Sequence, residues 1–132
     1  MMFIDASALI AIVSREDDWP ILTAKLDAAV VCFVSPLSVW ESVRGVSRKF
    51  AMPIEEAERV VRGFVQANKA TMTAINGEIG DEAMRANRMF GKGRHPAALN
   101  FGDCFAYACA RTLGVPLLAK GNDFPQTDIE MA

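Results

Sequence analysis

Val30-Val31-Cys32-Phe33-Val34-Ser35-Pro36 is the stretch on which the fold of this chain turns. Five apolar residues in a row, without polar alternation, are the pattern of a strand buried on both faces, as parallel strands are. Ser35 then supplies a helix N-cap side chain, and Pro36 the fixed φ of a first helical position. A helix is therefore expected to leave this strand at once and run to about Phe50. A strand that hands directly to a helix is the repeating unit of an α/β domain with a mainly parallel sheet.

The flanking sequence repeats that alternation. Met1 to Ile4 is apolar and stops at Asp5, as a short buried strand would. Ser7 to Val13 reads as a helix, and Trp19 to Ala29 as another after the polar break Arg15 to Asp18. Pro53 opens a helix whose Ala57, Val60, Val61, Phe64 and Val65 fall on one face. Ala70 to Ile75 is a further strand, and Glu78 to Phe90 a helix with Ile79, Ala83, Ala86 and Phe90 facing inward. Gly91-Lys92-Gly93-Arg94-His95-Pro96 is a loop. A helix from Phe101 to Leu113 is expected between the cap Asn100 and the stop Gly114. Val115 to Ala119 is a last buried strand, turned out by Gly121-Asn122. With no repeat and no linker, residues 1–132 are expected to form one domain.

Composition narrows the function. Apolar residues make up 52% of the 132, which excludes a disordered chain. No apolar run approaches the ~20 residues of a membrane span. Asp5 interrupts the apolar start and no basic region precedes it, which argues against a signal peptide. Cys32, Cys104 and Cys109 are odd in number, lie in apolar stretches and lack zinc-site spacing. They read as reduced core thiols of a cytoplasmic protein. The net charge of −2 comes without a Lys/Arg block, against a protein that binds nucleic acid tightly by its charge alone.

Four acids stand at element ends. Asp5 ends the first strand, and Asp123 follows the last by four residues. Glu41 lies in the helix leaving the Val30–Val34 strand, and Asp103 in the first turn of the helix at Phe101. In a parallel sheet, ligands bind beyond the carboxyl ends of the strands. Each acid also has an ordinary explanation: Asp5 as a cap, Ser38-x-x-Glu41 as a capping box, Asp103 as a complement to a helix dipole, Asp123 as a turn residue. Taken together, they would repel one another and call for a cation. Oxygen donors without imidazole suit Mg²⁺ or Mn²⁺, which can clamp a phosphodiester and activate water. The single histidine, His95, lies in the glycine-rich loop with no G-x-S-x-G elbow, and phosphate-loop and dinucleotide fingerprints are absent.

These stretches carry a resemblance. Phe3-Ile4-Asp5-Ala6-Ser7-Ala8-Leu9 resembles the opening motif of PIN-domain ribonucleases, in particular VapC-type toxins. Ser35-Pro36-Leu37 running into Trp40-Glu41-Ser42-Val43 is similar to their second motif. Leu99-Asn100-Phe101-Gly102-Asp103-Cys104-Phe105-Ala106-Tyr107-Ala108 is similar to the third and most specific. Leu117-Leu118-Ala119-Lys120-Gly121-Asn122-Asp123-Phe124 is similar to the fourth. The motifs follow in order across nearly the whole chain.

The resemblance implies a three-layer α/β/α sandwich and an Mg²⁺- or Mn²⁺-dependent endoribonuclease, the toxin of a type II toxin–antitoxin system. It implies Asp5, Glu41, Asp103 and Asp123 as metal-site and catalytic acids. It implies a homodimer and a cognate antitoxin, with promoter DNA reached only through that antitoxin. The chain departs from the family at Gly121, where another acid is common, and at Ala119, where Thr or Ser is. Both departures bear on a second metal. The alternative is a non-catalytic PIN-like module that binds RNA or protein, or a nuclease acting on DNA. Ser7 could orient the site or bond its own helix. Lys92, Arg94 and Lys120 are candidate RNA contacts or solvated charges. Asn100 and Asn122 read as cap and turn, and Trp19 and Trp40 as core or interface residues.

Overall fold

In the computed structural model, which describes Met1–Ala132, four short strands are joined through six helices. The order is β1 (Met2–Ile4), α1 (Ala6–Val13), α2 (Trp19–Asp27), β2 (Cys32–Val34), α3 (Pro36–Phe50), α4 (Ile54–Ala67), β3 (Thr71–Met72), α5 (Gly77–Phe90), α6 (Phe101–Leu113) and β4 (Leu117–Leu118), followed by a 3₁₀ turn at Phe124–Gln126. The sheet order is β3-β2-β1-β4, and every neighbouring pair is parallel. Phe3 pairs with Phe33 on one side and Leu117 on the other.

Strand alternation divides the interior in two. Phe3 and Leu117 point into a core built with α5 and α6, including Ile79, Ala83, Leu99 and Tyr107. Met2, Ile4, Cys32, Val34 and Leu118 point the other way, onto Leu9, Leu22, Val43, Val46 and Val61 of α1 to α4. Two cores on opposite faces of one sheet make the expected three layers. The cysteines are buried and free within these cores. No helix is long and apolar enough to cross a membrane.

The strand-to-helix junction is built as the sequence implies. Ser35 caps α3, accepting from Ser38 N–H at 3.1 Å while Ser38 Oγ accepts from Ser35 N–H at 2.9 Å. The capping box is therefore Ser35/Ser38, one turn ahead of the expected Ser38/Glu41. Gly45 brings α1 close to α3: a Cβ there would meet Ile10 Cδ1 at 2.3 Å. The strands are shorter than expected. Val30 is 92% exposed because the ladder begins where Met2 pairs with Cys32, leaving Val30 beyond the sheet. Only Thr71–Met72 of the Ala70–Ile75 run pairs, as an exposed edge. Val60 is likewise exposed, while Ala57 and Val61 carry the buried face of α4.

Candidate active site

Beyond β1 the sheet order reverses: β2 lies on one side and β4 on the other. This switch point is where parallel sheets open a crevice. Asp5 stands on it. Its N–H donates to Leu118 O at 2.9 Å, and its carboxylate is buried at 4% exposure. Asp5 also caps α1, accepting from Ser7 N–H at 3.0 Å and Ser7 Oγ–H at 2.6 Å. Ser7 Oγ in turn accepts from Lys120 N–H at 3.0 Å, so one hydroxyl fastens Asp5 to the turn leaving β4.

Asp103 enters from α6. Its carboxylate accepts from Asn100 N–H at 3.0 Å, and Asn100 Oδ1 accepts from Asp103 N–H at 2.9 Å. Glu41 enters from α3 and lies against the first turn of α6 at Gly102. A Cβ on Gly102 would sit 1.9 Å from Glu41 Oε2, so glycine leaves the space the carboxylate fills. Asp5, Glu41 and Asp103 line one cleft of about 390 Å³, together with Ser7, Trp40, Arg44 and Arg48. A larger groove of about 500 Å³ between α3 and α4 holds none of the four acids.

The electrostatics reflect this placement. Burial raises the Asp5 carboxyl above its ordinary range, against the hydrogen bonds from Ser7 and Ala6. Burial, then repulsion from Asp5 and Asp103, pushes Glu41 up to about 7. Burial pushes Asp103 up to about 6, against the bond from Asn100 and with repulsion from Asp5 and Asp123. None of these acids has an ion-pair partner. The local capping roles of Asp5 and Asp103 thus coexist with a shared cleft in which no carboxylate is ion-paired, although Arg44 and Arg48 line it too.

Asp123 is placed differently. It is exposed at the start of the 3₁₀ turn and does not line the cleft, acting on Asp103 through charge. Gly121, where the family often has an acid, adopts φ +100°, a conformation side chains rarely take. No three His, Cys, Asp or Glu side chains form a ready-made ligand shell. The donor set nonetheless fits a hard divalent cation: oxygen donors only, mutually repelling and without cationic partners.

The supporting residues sort out unevenly. Lys120 is tied by Glu16 and by Asp18 at 3.4 Å, and Glu16 also holds Lys49 at 2.7 Å. Lys92 and Arg94 are exposed in the loop after α5, outside the cleft. His95 Nδ1 accepts from Ala97 N–H, and its ring stands edge-on to Phe90, a structural role. Asn100 is the cap that its position implies. Trp40 is 59% exposed, contrary to a core reading, since it stands on the outer side of α3, bordering both the cleft and the α3–α4 groove. Sequence reading passed over Gly102, Arg44 and Arg48. The spacing of Arg44 and Arg48 one and two turns beyond Trp40 was the available signal.

The model of the PIN domain family matches residues 2–130. A VapC ribonuclease of Rhizobium meliloti (strain 1021) is 40% identical, covering 98% of this chain and 99% of its own. Ribonuclease VapC30 of Mycobacterium tuberculosis is 38% identical, covering 97% and 95%. Among solved structures, VapC20 of M. tuberculosis, described as a Sarcin-Ricin loop cleaving toxin, superposes with a TM-score of 0.78 at 14% identity, covering 100% and 98%. VapBC-1 of nontypeable Haemophilus influenzae gives 0.73 at 16%, covering 100% and 97%. At such identities these two speak for the fold alone. Family model and curated relatives, each spanning nearly the whole chain, place this protein in the PIN-domain family, among the VapC ribonucleases.

Proposed function

We propose that this protein is the toxin of a type II toxin–antitoxin pair, an endoribonuclease that hydrolyses RNA phosphodiesters with Mg²⁺ or Mn²⁺. The observation that carries it is the meeting of Asp5, Glu41 and Asp103, from three separate elements, in one cleft without a cationic partner. A divalent cation held there would polarise the phosphodiester and activate the attacking water. Asp5 and Asp103 are its principal ligands in this reading; Glu41 and the more distant Asp123 complete the site or orient water. Ser7 keeps the Asp5 carboxylate aimed, and Asn100 does the same for Asp103. Gly102 gives Glu41 its place.

A homodimer, a cognate antitoxin, and promoter DNA contacted only through that antitoxin complete the proposal, with the cytoplasm as its setting. The relatives' names support the ribonuclease, and a VapBC neighbour agrees with a toxin–antitoxin pair. The test is cleavage of structured RNA, single-stranded RNA and single-stranded DNA with Mn²⁺ or Mg²⁺. RNA should be cut, EDTA should stop the reaction, and Asp5→Asn or Asp103→Asn should each slow it by orders of magnitude. No cleavage of RNA with either metal would refute the enzyme reading. Cleavage of DNA alone would replace it with a different nuclease.

A further inference from the structure

Trp40, Arg44 and Arg48 fall at i, i+4 and i+8 on α3, forming one stripe about 12 Å long on a single helix face. All three line the acidic cleft and are exposed. The Arg44 guanidinium lies 5.4 Å from the Trp40 ring centroid. Neither arginine has a carboxylate partner. That is informative, because Glu41 precedes Arg44 by three positions, a spacing at which helical ion pairs form. Lys49 is already paired with Glu16, and Lys120 with Glu16 and Asp18. Arg44 and Arg48 are therefore the unspent positive charge beside the carboxylates.

A polyanion that must reach an acidic cleft, on a protein of net charge −2, needs local counter-charge. Guanidinium groups match phosphate oxygens with a planar fork, and an exposed indole accepts any base face. We propose that the Trp40–Arg44–Arg48 face of α3 is the track that seats single-stranded RNA, a base stacked on Trp40 and phosphates on Arg44 and Arg48. The track delivers the scissile linkage to the adjoining acids, and so rests on the ribonuclease reading above. Two cations without carboxylate partners beside a carboxylate cleft favour a polyanion; Trp40 and Arg44 also border the α3–α4 groove, so an apolar protein segment seated there is the competing occupant that the test separates.

The experiment measures binding of a labelled oligouridine RNA in EDTA, so that binding is read without cleavage, across a salt series. Arg44→Gln and Arg48→Gln should each weaken binding several-fold and reduce the salt slope by about 0.7. Arg88→Gln, removing an exposed and unpaired charge on α5 outside the cleft, should change neither affinity nor cleavage. Trp40→Leu should cost about tenfold, and Trp40→Phe much less. RNA should quench tryptophan fluorescence in Trp19→Phe but not in Trp40→Phe. Wild-type affinity and slope in both arginine variants would overturn the track. So would variants that bind RNA normally yet lose a co-purifying antitoxin, which would make the stripe a protein-docking face. A wild type that cuts RNA while stripe variants bind and cut equally well sinks the track and spares the ribonuclease. Stripe-dependent binding with no cleavage in any metal does the reverse.

Discussion

Gly102→Ala is the substitution that best separates the proposed chemistry from the fold. In an ordinary helix this change stabilises by roughly 0.5–1 kcal/mol, because alanine loses less backbone entropy. At Gly102 the new Cβ would lie 1.9 Å from Glu41 Oε2, where ordinary contact begins near 3.4 Å, so the carboxylate must retreat by about 1.5 Å. The obstructing atoms are the end of a flexible side chain, and moving them costs the fold little. Moving them costs the site much more, since a displacement of about 1 Å in a reacting constellation can cost on the order of 10²-fold. The variant should melt within a few degrees of wild type, or slightly above it, and cleave RNA about a hundredfold more slowly. Gly63→Ala on α4, where a Cβ meets nothing within 4 Å, should gain the helix stability and keep full activity. Adding Gly102→Ala to Glu41→Ala should cause no further loss of rate. The assay is initial rate with Mn²⁺ beside a thermal melt. Wild-type cleavage by Gly102→Ala, or a further loss in the double variant, would refute the reasoning.

Other outcomes follow from the same cleft. Carboxyl groups raised on folding make the fold proton-favoured, so their contribution is present below about pH 4 and lost as pH rises through about 6 to 7. The metal-free protein should accordingly melt lower at pH 7.5 than at pH 5.5. Mn²⁺ at a hundredfold excess over its dissociation constant should restore about 2.7 kcal/mol, on the order of 10 °C in Tm. Asp103→Asn should melt higher than wild type without metal at pH 7.5 and respond much less to Mn²⁺; identical responses would dissolve the shared site. Ser7→Ala removes the donor to Asp5 and the acceptor of Lys120 N–H, and should cost about 1.5–3 kcal/mol in urea unfolding at neutral pH. Unchanged stability would show that Ser7 does not fasten the site.

The parts of the molecule written in local chemistry were legible before any coordinates. Ser35-Pro36 opens α3, and Asn100 and Gly114 bound α6, because caps and stops act on their own neighbours. Asp5, Asp123 and the start of α3 could be expected at one sheet edge because parallel pairing brings the ends of β1 and β4 and the start of that helix there. What stayed hidden depended on register and approach. Val30 looks like strand, yet a strand ends where its partner does, and that partner is Met2. Asp123 looks equivalent to the other acids in sequence, but the turn at Gly121 leaves it at the rim, and no motif reports such an angle. Gly102 reads as a weak helix residue until Glu41, sixty-one positions away, is seen against it.

The three acids that share the cleft are far apart along the chain: ninety-eight positions separate Asp5 from Asp103. At typical synthesis speeds of about 5–20 residues per second, that gap lasts roughly 5–20 s. A growing chain can complete β1, β2 and α3 in that interval while still lacking the carboxylate and the Gly102 cradle that α6 brings. A premature stop before position 102 leaves a product with no assembled cleft. If the whole protein harms its maker, the danger begins only with the last helix, and translation itself supplies a grace period in which a protective partner can already be waiting.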